Sequence, residues 1–200
     1  MPAPPFFQAA DLLAYQHRLQ TNPHYDSANP ADQRYAAQLK QGIFEKTAYW
    51  GQQVARRLPR GRYEYLMRQT WTQGTHFRKY SWGRFLPLGA PDKAFYFTLG
   101  VDLGQTEDAQ RLSAAGLVPA GPALILKLDG HFAKDSSLTP AQYAAGEALR
   151  QTLPLDARWR RIGPGDLSDY SWPRLLTETV AFIEQYGDDL TRLLAATRQP

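Results

Sequence analysis

Between Trp71 and Phe85 the chain interleaves rings with cations: Trp71, His76, Phe77, Arg78, Lys79, Tyr80, Trp82, Arg84 and Phe85. Cations hold phosphate oxygens, and flat rings stack on bases or enclose one turned out of a helix, so the pattern suits nucleic-acid recognition. A structural reading competes with it. Aromatic residues are enriched in strands, and a strand whose ring-bearing face is core would bury Tyr80 and Trp82 and leave nothing to stack on.

The 200-residue chain has a formal net charge of +4, and its positive charge is concentrated. Arg56, Arg57, Arg60, Arg62, Arg68, Arg78, Lys79 and Arg84 occur with one acid, Glu64, while the remainder has more acids than bases. Clustered Lys and Arg raise the local potential that phosphates sense, so an anionic partner is expected. A solvated face whose charges pair with acids elsewhere gives the same composition.

Other chemistry is sparsely provided for. The chain has no cysteine, which excludes disulfides, thiolate zinc sites and thiol nucleophiles and fits a reducing compartment. Cytoplasm is the expected location. The amino terminus lacks a signal-peptide pattern and no apolar run approaches membrane-spanning length, so secretion and insertion are not expected. No phosphate loop, dinucleotide fingerprint or Gly-x-Ser-x-Gly elbow is present. His17, His24, His76 and His131 do not have metal-ligand spacing, and neither a metal nor a cofactor is expected. The enzymatic alternative is a metal-dependent nuclease. In it Asp102 and Asp129, each following an apolar strand, would meet a divalent ion beside Lys127 and His131. Ile125 stands where such a core needs an acid two residues before the lysine, and Asp129 serves equally as a turn residue.

The run Tyr80-Ser81-Trp82-Gly83-Arg84-Phe85-Leu86-Pro87, followed through a turn by Phe95-Tyr96-Phe97-Thr98-Leu99-Gly100-Val101-Asp102, resembles the amino-terminal DNA-recognition domain of McrB-type, modification-dependent restriction systems. It is similar also to the wider group of modified-base readers. The likeness extends from Arg78 to about Asp102, roughly an eighth of the chain. It implies DNA ahead of RNA, a reader of modified or flipped bases, and a place in restriction or antiviral defence. In that family a nucleotide-driven motor follows the domain; these residues contain none, which leaves a stand-alone reader or a subunit of a larger system. No individual pocket residue carries over.

The elements that must position these side chains follow from periodicity. Phe6 to Gln20 predicts a short helix. Asn29-Pro30 is an N-cap followed by proline at the first helical position. The long helix it starts carries Tyr35, Leu39, Ile43, Trp50, Val54 and Leu58 along one stripe, with Gly42 and Gly51 marking close packing. Alternation from Arg62 to Arg68 predicts a strand with Tyr63, Tyr65 and Met67 on one face. His76 to Phe85 predicts a second strand with Tyr80, Trp82 and Arg84 on one face, and Ala94 to Val101 a third, paired antiparallel with it. Glu107 to Ala115 predicts a helix and Ala123 to Leu128 a central strand. Thr139 and Gln142 form a capping box for another helix. Arg158 to Ile162 predicts an edge strand, and Leu176, Val180, Ile183, Leu190 and Leu194 line one carboxy-terminal helix.

The expected fold is therefore α+β: residues 1–200 as one domain, with a mainly antiparallel sheet of four to five strands packed by a long helix in the amino-terminal half and a carboxy-terminal helix. The leading functional expectation is a non-enzymatic nucleic-acid-binding module. Arg56, Arg57, Arg60 and Arg62 would contact phosphate, Tyr80 and Trp82 would stack, and Arg78, Lys79 and Arg84 would add cations. A third reading is a protein-interaction subunit that uses the carboxy-terminal stripe, with a protein partner or a second copy left open.

Overall fold

The computed structural model describes residues 2–68, 70–90 and 92–198. The helical half comes first. α1 (Ala9–Thr21) is followed by α2 (Pro30–Leu39), which begins where Asn29 Oδ1 accepts the Ala31 amide at 2.9 Å and Pro30 fills the first helical position. Instead of one uniform helix, α2 passes through a π-helical turn, Lys40–Phe44, into α3 (Glu45–Ala55). The turn contains Gly42, where a Cβ would stand 2.8 Å from the Tyr15 hydroxyl of α1.

β1 (Tyr63–Met67) leads into a hairpin of β2 (Thr72–Gln73) and β3 (His76–Phe77), and then into β4 (Tyr80–Pro87) and β5 (Phe95–Asp102). The single strand expected from His76 to Phe85 is thus two, with Arg78 and Lys79 at the break. After α4 (Glu107–Ala114) come β6 (Ala123–Gly130), α5 (Pro140–Gln151), α6 (Leu155–Arg158), β7 (Arg160–Ile162), a 3-10 turn at Pro164–Asp169, α7 (Trp172–Gln185) and α8 (Gly187–Ala196). The five longer-paired strands form one antiparallel sheet in the order β1-β4-β5-β6-β7, which makes the fold α+β and puts β5, not β6, at its centre. The Thr139–Gln142 capping box is present, and β7 is an edge strand as expected.

Alternation along the strands divides the sheet into two unlike faces. The helices cover one of them, α3 lying across β1, β4 and β5, α8 on β5, with α7 against α3 and α5 against α8. Phe85, Phe95, Phe97, Leu99, Leu124 and Leu128 all point there and are at most 1% exposed. Packing is close enough to require glycine: the Tyr65 ring sits against Gly51 of α3 and Gly83 of β4, where any Cβ would collide with it.

The carboxy-terminal helix breaks at Tyr186 into α7 and α8, and Gly187, which follows the break, lies against Arg62 and Tyr63: a Cβ there would fall 2.5 Å from the Arg62 guanidinium. Its stripe is satisfied within the chain. Leu176, Ile183 and Leu190 are buried in the core, with Val180 and Leu194 packed on it. Among the described residues no helix is long and apolar enough to cross a membrane.

Candidate functional site

Among the described residues no helical layer comparable to that of α3, α7 and α8 packs on the other face over β1 and β4, although Tyr96 and Thr98 of β5 are only 2% and 5% exposed there. There the register sets Arg68 beside Trp82, since β1 pairs with β4 as Met67 with Gly83 and the Arg68 amide donates to the Trp82 carbonyl at 3.3 Å. Tyr80, Trp82 and Arg84 follow one another at alternate positions of β4, and Tyr96 and Thr98 come from β5 beside them. Ile125, Lys127 and Asp129 of β6 continue the row. Together with Lys79, Gln105, Glu107 and His131, the β4, β5 and β6 residues of this row line a cavity of about 500 Å³, with Arg68 outside its lining.

Rings and guanidinium groups are interleaved across this face. The Arg68 guanidinium lies 4.9 Å from the ring centres of both Tyr80 and Trp82, and the Arg84 guanidinium lies 4.2 Å from Trp82 and 4.4 Å from Tyr96. Cation–π contact holds both arginines flat against the sheet. Elsewhere some cations meet carboxylates, Arg18 with Asp32, Arg150 with Glu147, and Arg160 and Arg174 with Glu178, while others such as Arg78 and Arg161 donate to backbone carbonyls. Arg68 and Arg84 meet no carboxylate among the described residues. Among the described residues the Arg68 guanidinium donates once, to the Tyr80 hydroxyl at 3.3 Å, and the Arg84 guanidinium donates no hydrogen bond.

Buried polar atoms are normally paired. Three are not among the described residues, and all three belong to this stack: Arg68 Nη1, Trp82 Nε1 and Arg84 Nε. Burial, followed by the nearby charges of Arg78 and Arg84, holds the Arg68 pKa below its ordinary value, with Tyr80 acting the other way. The stack thus sets N–H donors and positive charge on an aromatic bed.

The far wall of the cavity carries more acid than base: Asp102, Glu107, Asp108 and Asp129 line it beside Lys127. Lys127 Nζ lies 3.1 Å from Asp129 and 3.6 Å from Asp108 of α4, and 5.1 Å from the Trp159 ring centre. Burial opposes its charge, but the two carboxylates outweigh that and raise its pKa. α4 closes this end of the face by packing Leu112 on Ala123, Ile125 and Trp159.

The residues expected to act together fall into separate groups. Lys79, Tyr80, Trp82 and Arg84 share the cavity. Arg56, Arg57, Arg60 and Arg62 do not: they are exposed around the end of α3 and the start of β1. Tyr63 pairs with Pro87, seven residues along β4 from Tyr80, a separation of about 23 Å at 3.3 Å per residue. Arg62 turns to the helical layer beside Gly187, and Arg57 donates to the Gln53 carbonyl at 2.7 Å. Arg78 is engaged within the hairpin, donating to the Thr72 carbonyl at 3.1 Å and to Gln73 Oε1 at 2.9 Å. Trp71 and Phe77, from the same aromatic run, stack on each other and pack against Tyr25.

Two contributors escaped sequence reasoning. Arg68 was visible as a cation, but its place beside Trp82 depends on the strand register. Tyr96 was visible in principle, since alternation from Phe95 puts it opposite the Phe95, Phe97 and Leu99 face.

The carboxylates of the nuclease alternative do not meet. On the paired strands Asp129 lies opposite Tyr96 and Asp102 opposite Ala123, six positions apart, or about 20 Å. Asp102 is 3% exposed and accepts the Gly104 amide at 2.7 Å and the Thr106 hydroxyl, fixing the turn that starts α4. Burial raises its pKa against those hydrogen bonds. Asp129 accepts the Thr98 hydroxyl at 3.1 Å besides pairing with Lys127. Among the described residues no three His, Asp or Glu side chains are grouped to hold a metal ion. The chain matches no protein-family model, no curated protein and no solved structure.

Proposed function

We propose that this protein binds nucleic acid on the open face of its sheet, taking up an unstacked base without chemistry on it. The observation that carries the proposal is the pair Arg68 and Arg84: two guanidinium groups on a bed of Tyr80, Trp82 and Tyr96, with no carboxylate partner among the described residues and with orphaned donors. An unpaired arginine asks for an anion, and a ring-lined cavity asks for something flat. A nucleotide is both. The cavity volume is within the range of small-ligand sites. Such a base comes from a single strand or is turned out of a duplex, as the resemblance to McrB-type readers implies.

The test uses the indole N–H groups as reporters. Trp50 Nε1 donates to Thr179 Oγ1 at 2.9 Å and Trp172 Nε1 to the Pro4 carbonyl at 2.7 Å, while Trp82 Nε1 has no partner. On titrating the 15N-labelled protein with an eight-residue oligothymidine, the Trp82 indole resonance should shift and those of Trp50 and Trp172 should stay. A matched duplex, and the same duplex with one mismatch, separate single-strand binding from base extrusion. Oligonucleotide binding that leaves Trp82 unmoved, or no binding at low salt by any of the three, refutes the proposal.

A further inference from the structure

A second cavity adjoins the first. It has a volume of about 590 Å³, lies between the hairpin and the start of β4, and shares Lys79, Tyr80 and Gln105 with its neighbour. Tyr80 therefore stands as a divider between two spaces, each within the range that holds a small ligand. The ammonium beside that divider is free. Lys79 is exposed and, among the described residues, its ammonium has neither a hydrogen bond nor an ion pair, while its backbone carbonyl accepts the Leu103 amide at 3.0 Å.

The second space has a stacking surface of its own. His76 is exposed, bonded through Nδ1 to the Thr75 hydroxyl at 3.2 Å, and edge-on to His24 with ring centres 5.6 Å apart. Histidine rings stack on bases as other aromatics do. Beneath lie the buried side chains of Leu19 and Phe77. The hairpin that carries His76 is tied down: the Tyr25 amide donates to the Thr75 carbonyl at 2.7 Å and the Phe77 amide to the Pro23 carbonyl at 2.9 Å. Arg78 clamps the hairpin from within. Its role is to position His76, and the space is preformed, which lowers the ordering cost of filling it.

Resting on the reading of the open face as a nucleic-acid surface, we propose that the ligand is a strand of at least two consecutive nucleotides. One base lies on the Trp82–Arg84–Tyr96 bed, the next lies against His76, and the phosphodiester between them passes Lys79 at the Tyr80 divide. This is a track for a continuous strand, not a pocket for a free mononucleotide.

The experiment compares thymidine 5′-monophosphate with the dinucleotide pTpT by calorimetric titration at low salt. The dinucleotide should bind at least about fivefold more tightly, since one stacked base contributes about 1–3 kcal/mol; binding of the dinucleotide alone supports the inference equally. His76→Ala should lower dinucleotide affinity about fivefold or more and leave mononucleotide affinity unchanged. Lys79→Ala should weaken the dinucleotide and flatten its salt dependence. Equal affinities for the two ligands overturn the second subsite and leave the open-face reading standing. A dinucleotide advantage that His76→Ala does not touch overturns the assignment of the second base. Failure of the monophosphate, pTpT and the eight-residue oligothymidine alike overturns the reading beneath it.

Discussion

On the covered face of the sheet, polar groups that are taken from water find one another. Thr47 and Ser81 share a hydrogen bond of 2.7 Å, and Trp50 reaches Thr179. One residue further along the same strand, Trp82 keeps an unpaired indole N–H, and two guanidinium groups lie beside it without a carboxylate. The same β4 backbone supplies both faces, so neither strand propensity nor register explains the contrast. Folding stability is best served by pairing every buried donor, as the covered face does. Donors left unpaired and pre-aimed are what binding requires, since their partner arrives with the ligand.

The comparison is tested most severely from its covered side. Ile183 is 2% exposed in the core, and Ile183→Asp would bury an unpaired carboxylate at a cost of several kcal/mol, comparable with a domain's entire stability. Circular dichroism should report an unfolded chain. A folded variant would mean that α7 is not the structural layer described above.

A smaller effect is expected where Tyr65 fills the space left by Gly51 and Gly83. Gly51→Ala should destabilise by about 1–3 kcal/mol through overpacking, although alanine is the better helix former. In a Tyr65→Leu background most of that penalty should disappear in urea unfolding. An undiminished penalty would place its cause outside the slot.

The paired charges of the covered layer predict a pH dependence. Burial alone would raise the pKa of Glu147, but hydrogen bonds from Arg150 and Gln151 outweigh it and hold the carboxyl below the ordinary glutamate range. A depressed folded pKa gives stabilisation that is complete above the unfolded value of about 4.3 and is lost as pH falls through the folded value. Glu147→Gln should thus lower stability near neutrality, by at most about 1 kcal/mol for a pair partly open to solvent, and the gap should close by about pH 3. Unfolding curves for parent and variant across that range provide the check. A gap that widens on acidification contradicts the sign.

On the open face the smallest change in stability is expected. Arg84→Met keeps the apolar stem over Trp82 and Tyr96 and removes a guanidinium that makes no hydrogen bond or ion pair among the described residues, so the midpoint of thermal unfolding should stay level or rise. A marked fall would show that the cation is structural.

Much of the covered face was legible in the sequence, because it depends on local periodicity. The alternation of Tyr63 and Tyr65, the Thr139 capping box and the glycines of the long helix each imply their own geometry. The candidate site was half legible for the same reason: Tyr80, Trp82 and Arg84 share a face of one strand. What joins that strand to Arg68 and Tyr96, and separates it from Arg56, Arg57, Arg60 and Arg62, is pairing between strands. A linear charge count cannot register it, since the α3–β1 turn and the Tyr80 end of β4 are neighbours in sequence but lie at opposite ends of a hairpin. The contact of Gly187 with Arg62 was hidden likewise, since Arg62 arrives from far along the chain.

The most direct measurement sets the two basic groups against each other. Fluorescence anisotropy of a labelled eight-residue oligothymidine should be recorded with the parent, with Arg84→Met, and with Arg56, Arg57 and Arg60 all changed to Ala. Loss of a charged, stacked contact should weaken binding at least about tenfold in Arg84→Met, while the triple variant loses only a salt-sensitive, nonspecific increment. The opposite order, with Arg84→Met binding like the parent and the triple variant failing to bind, would contradict the assignment of function to the open face of the sheet.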